Sequence, residues 1–189
     1  MRDIISSIWF MGLATLLLLP LLALPILYFS DTSFLGLFTL GDSSIFSIIF
    51  FISAGIFFGL FIMWFGDLPF FKNTLVVYSK MITNLKINTK QAFFLSICAG
   101  VGEEILFRGA LQPILGIWLT SIIFVGSHHY LYNEKFSKQN TIPFIVMVSF
   151  LLGLGLLLGW IAEEFTLWHA IAIHFSYDLV QFMYIREPN

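Results

Sequence analysis

Glu103, Glu104 and Arg108, then His128, then His174 and Asp178 are ionisable side chains set inside otherwise apolar stretches. A charge at the centre of a spanning helix costs about 2.5–3.5 kcal/mol on insertion scales. Chains keep several such groups where they pair with one another or do chemistry. Carboxylates beside imidazoles suit proton transfer or metal ligation. Successive helical residues lie about 100° apart. Glu104 and Arg108, four apart, therefore share a face, with the acid N-terminal to the base, the favourable order for an ion pair. Glu103 points about 100° away and lacks that partner, as a general base requires. The spacing predicts a structural ion pair, Glu104–Arg108, and a catalytic Glu103. His174 and Asp178 are also four apart, an arrangement that fixes a tautomer or helps hold a metal. His128 follows Phe124 by one turn. Counted along their helices, Glu103, His128, His174 and Asp178 all fall near mid-depth, so side chains from three helices are expected to converge on one pocket.

The elements that must position them are apolar. The chain has 189 residues, 59% hydrophobic and only 11% charged, with mean hydropathy +0.94. A soluble domain carries about 25% charged residues. The fold class expected is all-α, a polytopic membrane bundle of about six transmembrane helices. A β-barrel is excluded because the apolar runs are continuous rather than alternating. Measured against the roughly 20 residues that cross a bilayer, spans are predicted at about 8–29 (with Pro20 and Pro25), 45–65, 91–109, 118–132, 142–161 and 167–185. Residues 1–90 would hold the N-terminal spans and a connector, and 91–189 the catalytic core, within one compact domain.

The connector, 67–90, mixes Lys72, Lys80, Lys86 and Lys90 with apolar residues, the pattern of a cytoplasmic segment with a partly interfacial helix. In a six-span arrangement Arg2, these lysines, Lys135, Lys138 and Arg186 share one side. The loops around Asp31, Asp42 and the Glu163–Glu164 pair carry no Lys or Arg. The positive-inside rule then puts both termini in the cytoplasm. The first span is too long for a signal-peptide core and lacks a convincing cleavage site, so it is expected to be retained. Nucleic acid is not an expected partner, because no basic stripe exists. Cys98 is the single cysteine, which excludes an intramolecular disulfide and a cysteine metal cage. Plainer readings attach to other residues. His129 reads as interfacial, His169 as structural near the membrane edge, and Glu163 with Glu164 as a solvated loop. The pairs Gly55/Gly59 and Gly155/Gly159 read as close intramolecular helix contacts.

The run Glu103-Glu104-Ile105-Leu106-Phe107-Arg108-Gly109 resembles the EExxxR motif of the CPBP intramembrane proteases. That family includes the CAAX prenyl endopeptidases of the Rce type and bacterial bacteriocin-processing or immunity (Abi-like) homologues. Phe124-Val125-Gly126-Ser127-His128 resembles its FxxxH motif, and His174-Phe175-Ser176-Tyr177-Asp178 its HxxxN or HxxxD motif. The resemblance covers about residues 91–180, and the first 90 residues carry no motif. It implies a membrane-embedded endopeptidase in which Glu103 and His128 activate a water, while His174 and the Asp178 position bind the oxyanion or a metal. Asp178 stands where Asn is commoner. An ionised carboxylate cannot donate to an oxyanion, so Asp178 is expected to orient His174 or ligate a cation. Glu103, His128 and His174 have the ligand chemistry for zinc, yet no HExxH helix exists. A divalent metal and a metal-free site both stay open. The implied partners are membrane lipid and a protein or peptide substrate, lipidated or not. The implied location is the bacterial cell membrane. Two other readings compete: a non-catalytic scaffold or bacteriocin-immunity protein, and a small transporter or proton relay, which should show inverted repeats and broken helices.

Overall fold

A computed structural model of the chain describes residues 2–41, 43–69, 71–72, 76, 79, 83–128 and 141–185. Its elements are α1 (Arg2–Phe29), a one-turn 3-10 helix (Leu35–Phe38), α2 (Ile45–Gly66), α3 (Thr89–Glu104), a π-helical segment (Ile105–Leu111), α4 (Gln112–Ser127), α5 (Thr141–Glu164) and α6 (Leu167–Ile185). No strand occurs among the described residues. The all-helical bundle expected from composition is what forms. Four described stretches are long and apolar enough to cross a membrane: 8–29, 45–66, 89–127 and 144–164.

The helix α6 does not join those four, although its bounds coincide with the last predicted span. Its sequence carries His169, His174, Asp178 and Gln181. It is nonetheless the most enclosed helix, with residues 169–174 buried in succession. Neighbouring helices shield it from lipid, so polar side chains meet protein rather than hydrocarbon.

Contacts fix the helix directions. Along α2 and α6, Ser47 meets His169, Gly59 meets Gln181 and Asp67 meets Tyr184. The offset stays between 117 and 122 residues, so the two helices run parallel. Small residues allow this closeness. A Cβ on Gly55 would come 2.6 Å from the Ile173 carbonyl, and one on Gly59 2.8 Å from Val180. Gly155 and Gly159 bring α5 onto Ser121 and Gln112 of α4 in the same way. Both glycine pairs serve intramolecular packing, as read from sequence. At one end of the bundle Ile8, Met63, Ile87, Ala92 and Ile185 form a single cluster. The start of α1, the end of α2, the start of α3 and the end of α6 therefore lie together.

The third predicted span was expected to end near Gly109. The helix instead begins at a capping box, Asn88 with Gln91, and continues through the π segment to Gly116. There the backbone turns (φ 73°, ψ 165°) into a region that is essentially glycine-only. A straight helix would separate residues 103 and 128 by about 37 Å. Their side chains lie 3.7 Å apart. Phe107 and Arg108 likewise meet Phe124. Each pair is spaced evenly about Gly116, so the chain folds back on itself there. The predicted break between 109 and 118 holds, with the turn placed at Gly116.

Two further expectations change. His128 does not sit inside a span but caps the C-terminus of α4 (φ −87°, ψ 15°). Glu163 and Glu164 form the last turn of α5 rather than a loop. His169 agrees with its structural reading: it lies in the first turn of α6, 1% exposed, strung between Ser47 and Thr166. The connector's interfacial helix, Asp42, Lys80, His129, residues 130–132, Lys135, Lys138 and Arg186 fall wholly or partly outside the described residues.

Candidate active site

Two glycines of α3 bring neighbours against the glutamate pair. A Cβ on Gly100 would lie 3.1 Å from the Phe175 nitrogen of α6, and one on Gly102 2.9 Å from the Thr15 carbonyl carbon of α1. The α3–α6 contact sets Glu104 beside His174, whose Nδ1 lies 2.7 Å from the Glu104 Oε1. The other carboxylate oxygen faces Arg108 Nε at 3.4 Å, with both side chains fully buried. The Glu104–Arg108 pair is where helical spacing put it. Its second partner was not foreseen. His174 was expected to be oriented by Asp178, but that contact is the longer one, Nε2 to Oδ2 at 3.5 Å. The nearer orienting group is Glu104, brought from another helix.

Glu103 points to a different place. Its Oε2 is buried without a hydrogen-bond partner and lies 3.7 Å from His128 Nε2. That is beyond a direct hydrogen bond and within the span of one bridging water. His128 stands against Glu103, and His174 spans Glu104 and Asp178, so the four motif residues and the ion pair form one constellation.

Hydrogen bonds assign the imidazole tautomers. His128 Nδ1 lies 2.8 Å from the Phe124 carbonyl, which can only accept, so Nδ1 carries the proton. Nε2 is then the atom turned to Glu103. Beside Arg108, the Glu104 carboxylate accepts from Nδ1–H of His174. His174 therefore also turns Nε2 outward, toward Asp178.

Access is graded. Glu103, His128 and Asp178 side chains are 15%, 13% and 19% exposed, while Glu104 and Arg108 are sealed. Along α3 and α6 the exposed members sit nearer the end that bears Ile87 and Ile185. The opposite end is covered. Leu37 packs against Gly109, and Trp168 Nε1 donates to the Phe38 carbonyl at 2.9 Å.

A cation on Glu103, His128 and His174 would need their donors to converge. Glu104 on Nδ1 leaves His174 Nε2 as its ligating atom, but no group of three His, Cys, Asp or Glu among the described residues is arranged to hold a metal ion. These residues, as placed, do not fit that ligand set.

Sequence spacing missed Gly116, although Pro113 in the first turn of α4 followed closely by a glycine is a turn signal. It also missed the π segment, a form that is frequent at functional sites and has no sequence signature here.

Comparison with known proteins places this constellation. The Bacillus subtilis (strain 168) protein named "Uncharacterized protein YpbD" is 35% identical over 107 residues, which is 54% of this chain and 52% of that protein. The chain thus spans about half the length of this curated relative. No solved structure matches significantly. A family model described as "Type II CAAX prenyl endopeptidase Rce1-like" matches residues 86–180. That segment runs from the foot of α3 through the hairpin to just past Asp178, enclosing every residue of the site, and the chain belongs to the Rce1-like family.

Proposed function

We propose that the chain is an intramembrane endopeptidase that hydrolyses a peptide bond with a water activated by Glu103 and His128. The observation that carries this reading is the Glu103 oxygen without a hydrogen bond, 3.7 Å from His128 Nε2, beside side chains that are partly exposed. A water between them donates one proton to Glu103 as its oxygen attacks the scissile carbonyl carbon. The carbonyl π pair moves onto oxygen, and His174, when protonated at Nε2, donates to that oxyanion. Asp178 balances the imidazolium charge. On collapse the C–N bond breaks, and Glu103 returns the proton to the leaving amine. Glu104 and Arg108 touch no reacting atom and hold His174 in place. No step passes through a metal.

The substrate is a protein or peptide presented at the membrane. A prenylated C-terminal segment is the class that the family description names. Exposure rises toward the bundle end that precedes α3, where Lys86 and Lys90 flank Ile87, so we assign that opening and both termini to the cytoplasmic side of a bacterial cell membrane.

The test is cleavage by purified protein in nanodiscs, read by mass spectrometry on prenylated and unmodified peptides. Glu103→Gln and His128→Gln should each lower the rate about 10²–10⁴-fold, the range for loss of a general base. Cleavage by Glu103→Gln at the native rate would sink the mechanism. Binding of peptides without cleavage by the native chain would favour the scaffold reading.

A further inference from the structure

Arg108 is 4% exposed, and no hydrogen bond reaches its Nε, Nη1 or Nη2. Among the described residues, its guanidinium stands beside Glu104 and over two aromatic rings. The carbon Cζ stands 5.0 Å from the Phe124 ring centroid and 6.0 Å from that of Phe107. Phe124, 1% exposed, stands against several members of the site. Its ring lies 4.6 Å from the His128 ring and 6.3 Å from the His174 ring. Edge-on contact with Phe107 at 5.1 Å fixes its own plane. Its carbonyl holds His128 Nδ1 at 2.8 Å.

Two physical points separate this ring from plain filler. The χ2 torsion of histidine is broad, so an imidazole plane is set by what it touches. A leucine could fill the same volume, but only an aromatic face offers negative charge density to a cation. The face is attractive to Arg108 where hydrogen bonds are missing.

We propose that Phe124 is a positioning residue whose ring face seats the Arg108 guanidinium and thereby sets Glu104 and His174 against His128. Its effect on turnover rests on the endopeptidase reading; the seating of Arg108 does not.

The test replaces Phe124 by phenylalanines bearing one, two and three ring fluorines. Fluorination drains the ring face while nearly preserving its shape. The unfolding midpoint in detergent should fall with each fluorine. In the neutral background Glu104→Gln/Arg108→Met the same series should have less than about a third of that slope, because no cation is left to seat. The same substitutions at Phe58, whose ring contacts among the described residues are with Phe150 and Tyr177, should also give a shallow slope. This control decides the matter should the double variant fail to fold. Equal slopes in both backgrounds, a flat series at Phe124, or a slope at Phe58 as steep as at Phe124 would overturn the seat. Imidazole 15N resonances of His128 and His174 should shift along the Phe124 series, and kcat should fall about 10–100-fold, with KM within about twofold. A falling midpoint with unmoved imidazole resonances would overturn the positioning role. A chain that cleaves no peptide but follows both trends would refute the endopeptidase reading and leave the seat standing.

Discussion

Glu104→Gln removes one charge from a place where nothing else neutralises Arg108. Both side chains are fully buried, so solvent does not screen the loss. Leaving one member of a buried ion pair uncompensated costs about 3–5 kcal/mol. The new amide oxygen still accepts from His174 Nδ1, whereas its NH2 opposes Arg108 donor to donor. For chains of 150–250 residues about 1 kcal/mol moves Tm by about 2–4 °C. The expected fall is therefore about 6–20 °C. Arg108→Gln should fall comparably, because it strands the Glu104 carboxylate. The double change should cost much less than the two singles added, since each single contains the same broken pair. Glu103→Gln makes the contrast. Its Oε2 has no hydrogen bond to lose, and the side chain is 15% exposed against none for Glu104, so stability should change by less than about 1 kcal/mol while cleavage is lost. Thermal unfolding in mild detergent, measured beside peptide cleavage on the same samples, reads both quantities. The division of labour fails if Glu103→Gln destabilises as much as Glu104→Gln, or if the Glu104 and Arg108 effects simply add.

Gly116→Ala should destabilise by about 1–3 kcal/mol through backbone strain alone, because a Cβ there meets nothing within 4 Å. Gly153→Ala, equally open but helical, should be neutral or stabilise by up to about 1 kcal/mol; equal effects in unfolding would refute the hinge. Reporter fusions at Ser33 and Asn84 should register on opposite sides of the membrane, and the same side for both would refute the topology. Cleavage should survive chelation, since no three potential ligands among the described residues surround one point. Loss on chelation with recovery on zinc would restore the metal reading.

The sequence by itself determined the elements and the faces. Continuous apolar runs specified an all-helical membrane bundle, and the predicted bounds of α2, α5 and α6 fall within three residues of those formed. Four-residue spacing placed Glu104 with Arg108 and His174 near Asp178, because side-chain direction along a helix follows from about 100° per residue. The three motifs marked the residues that meet. Which helix meets which was not local information. The break between the third and fourth predicted spans was legible, but its exact place at Gly116, which brings His128 back to Glu103, was not, because neither spacing nor hydropathy carries a single glycine's positive φ. Gly100 and Gly102 admit α6 and α1 to the glutamate pair, and that approach gives His174 a closer partner in Glu104 than in Asp178. Phe124 came to lie among Arg108, His128 and His174 for the same reason. A helix face is set by bonds within one segment, whereas a site shared by several helices is set by how closely their backbones can pack, and only the tertiary structure decides that.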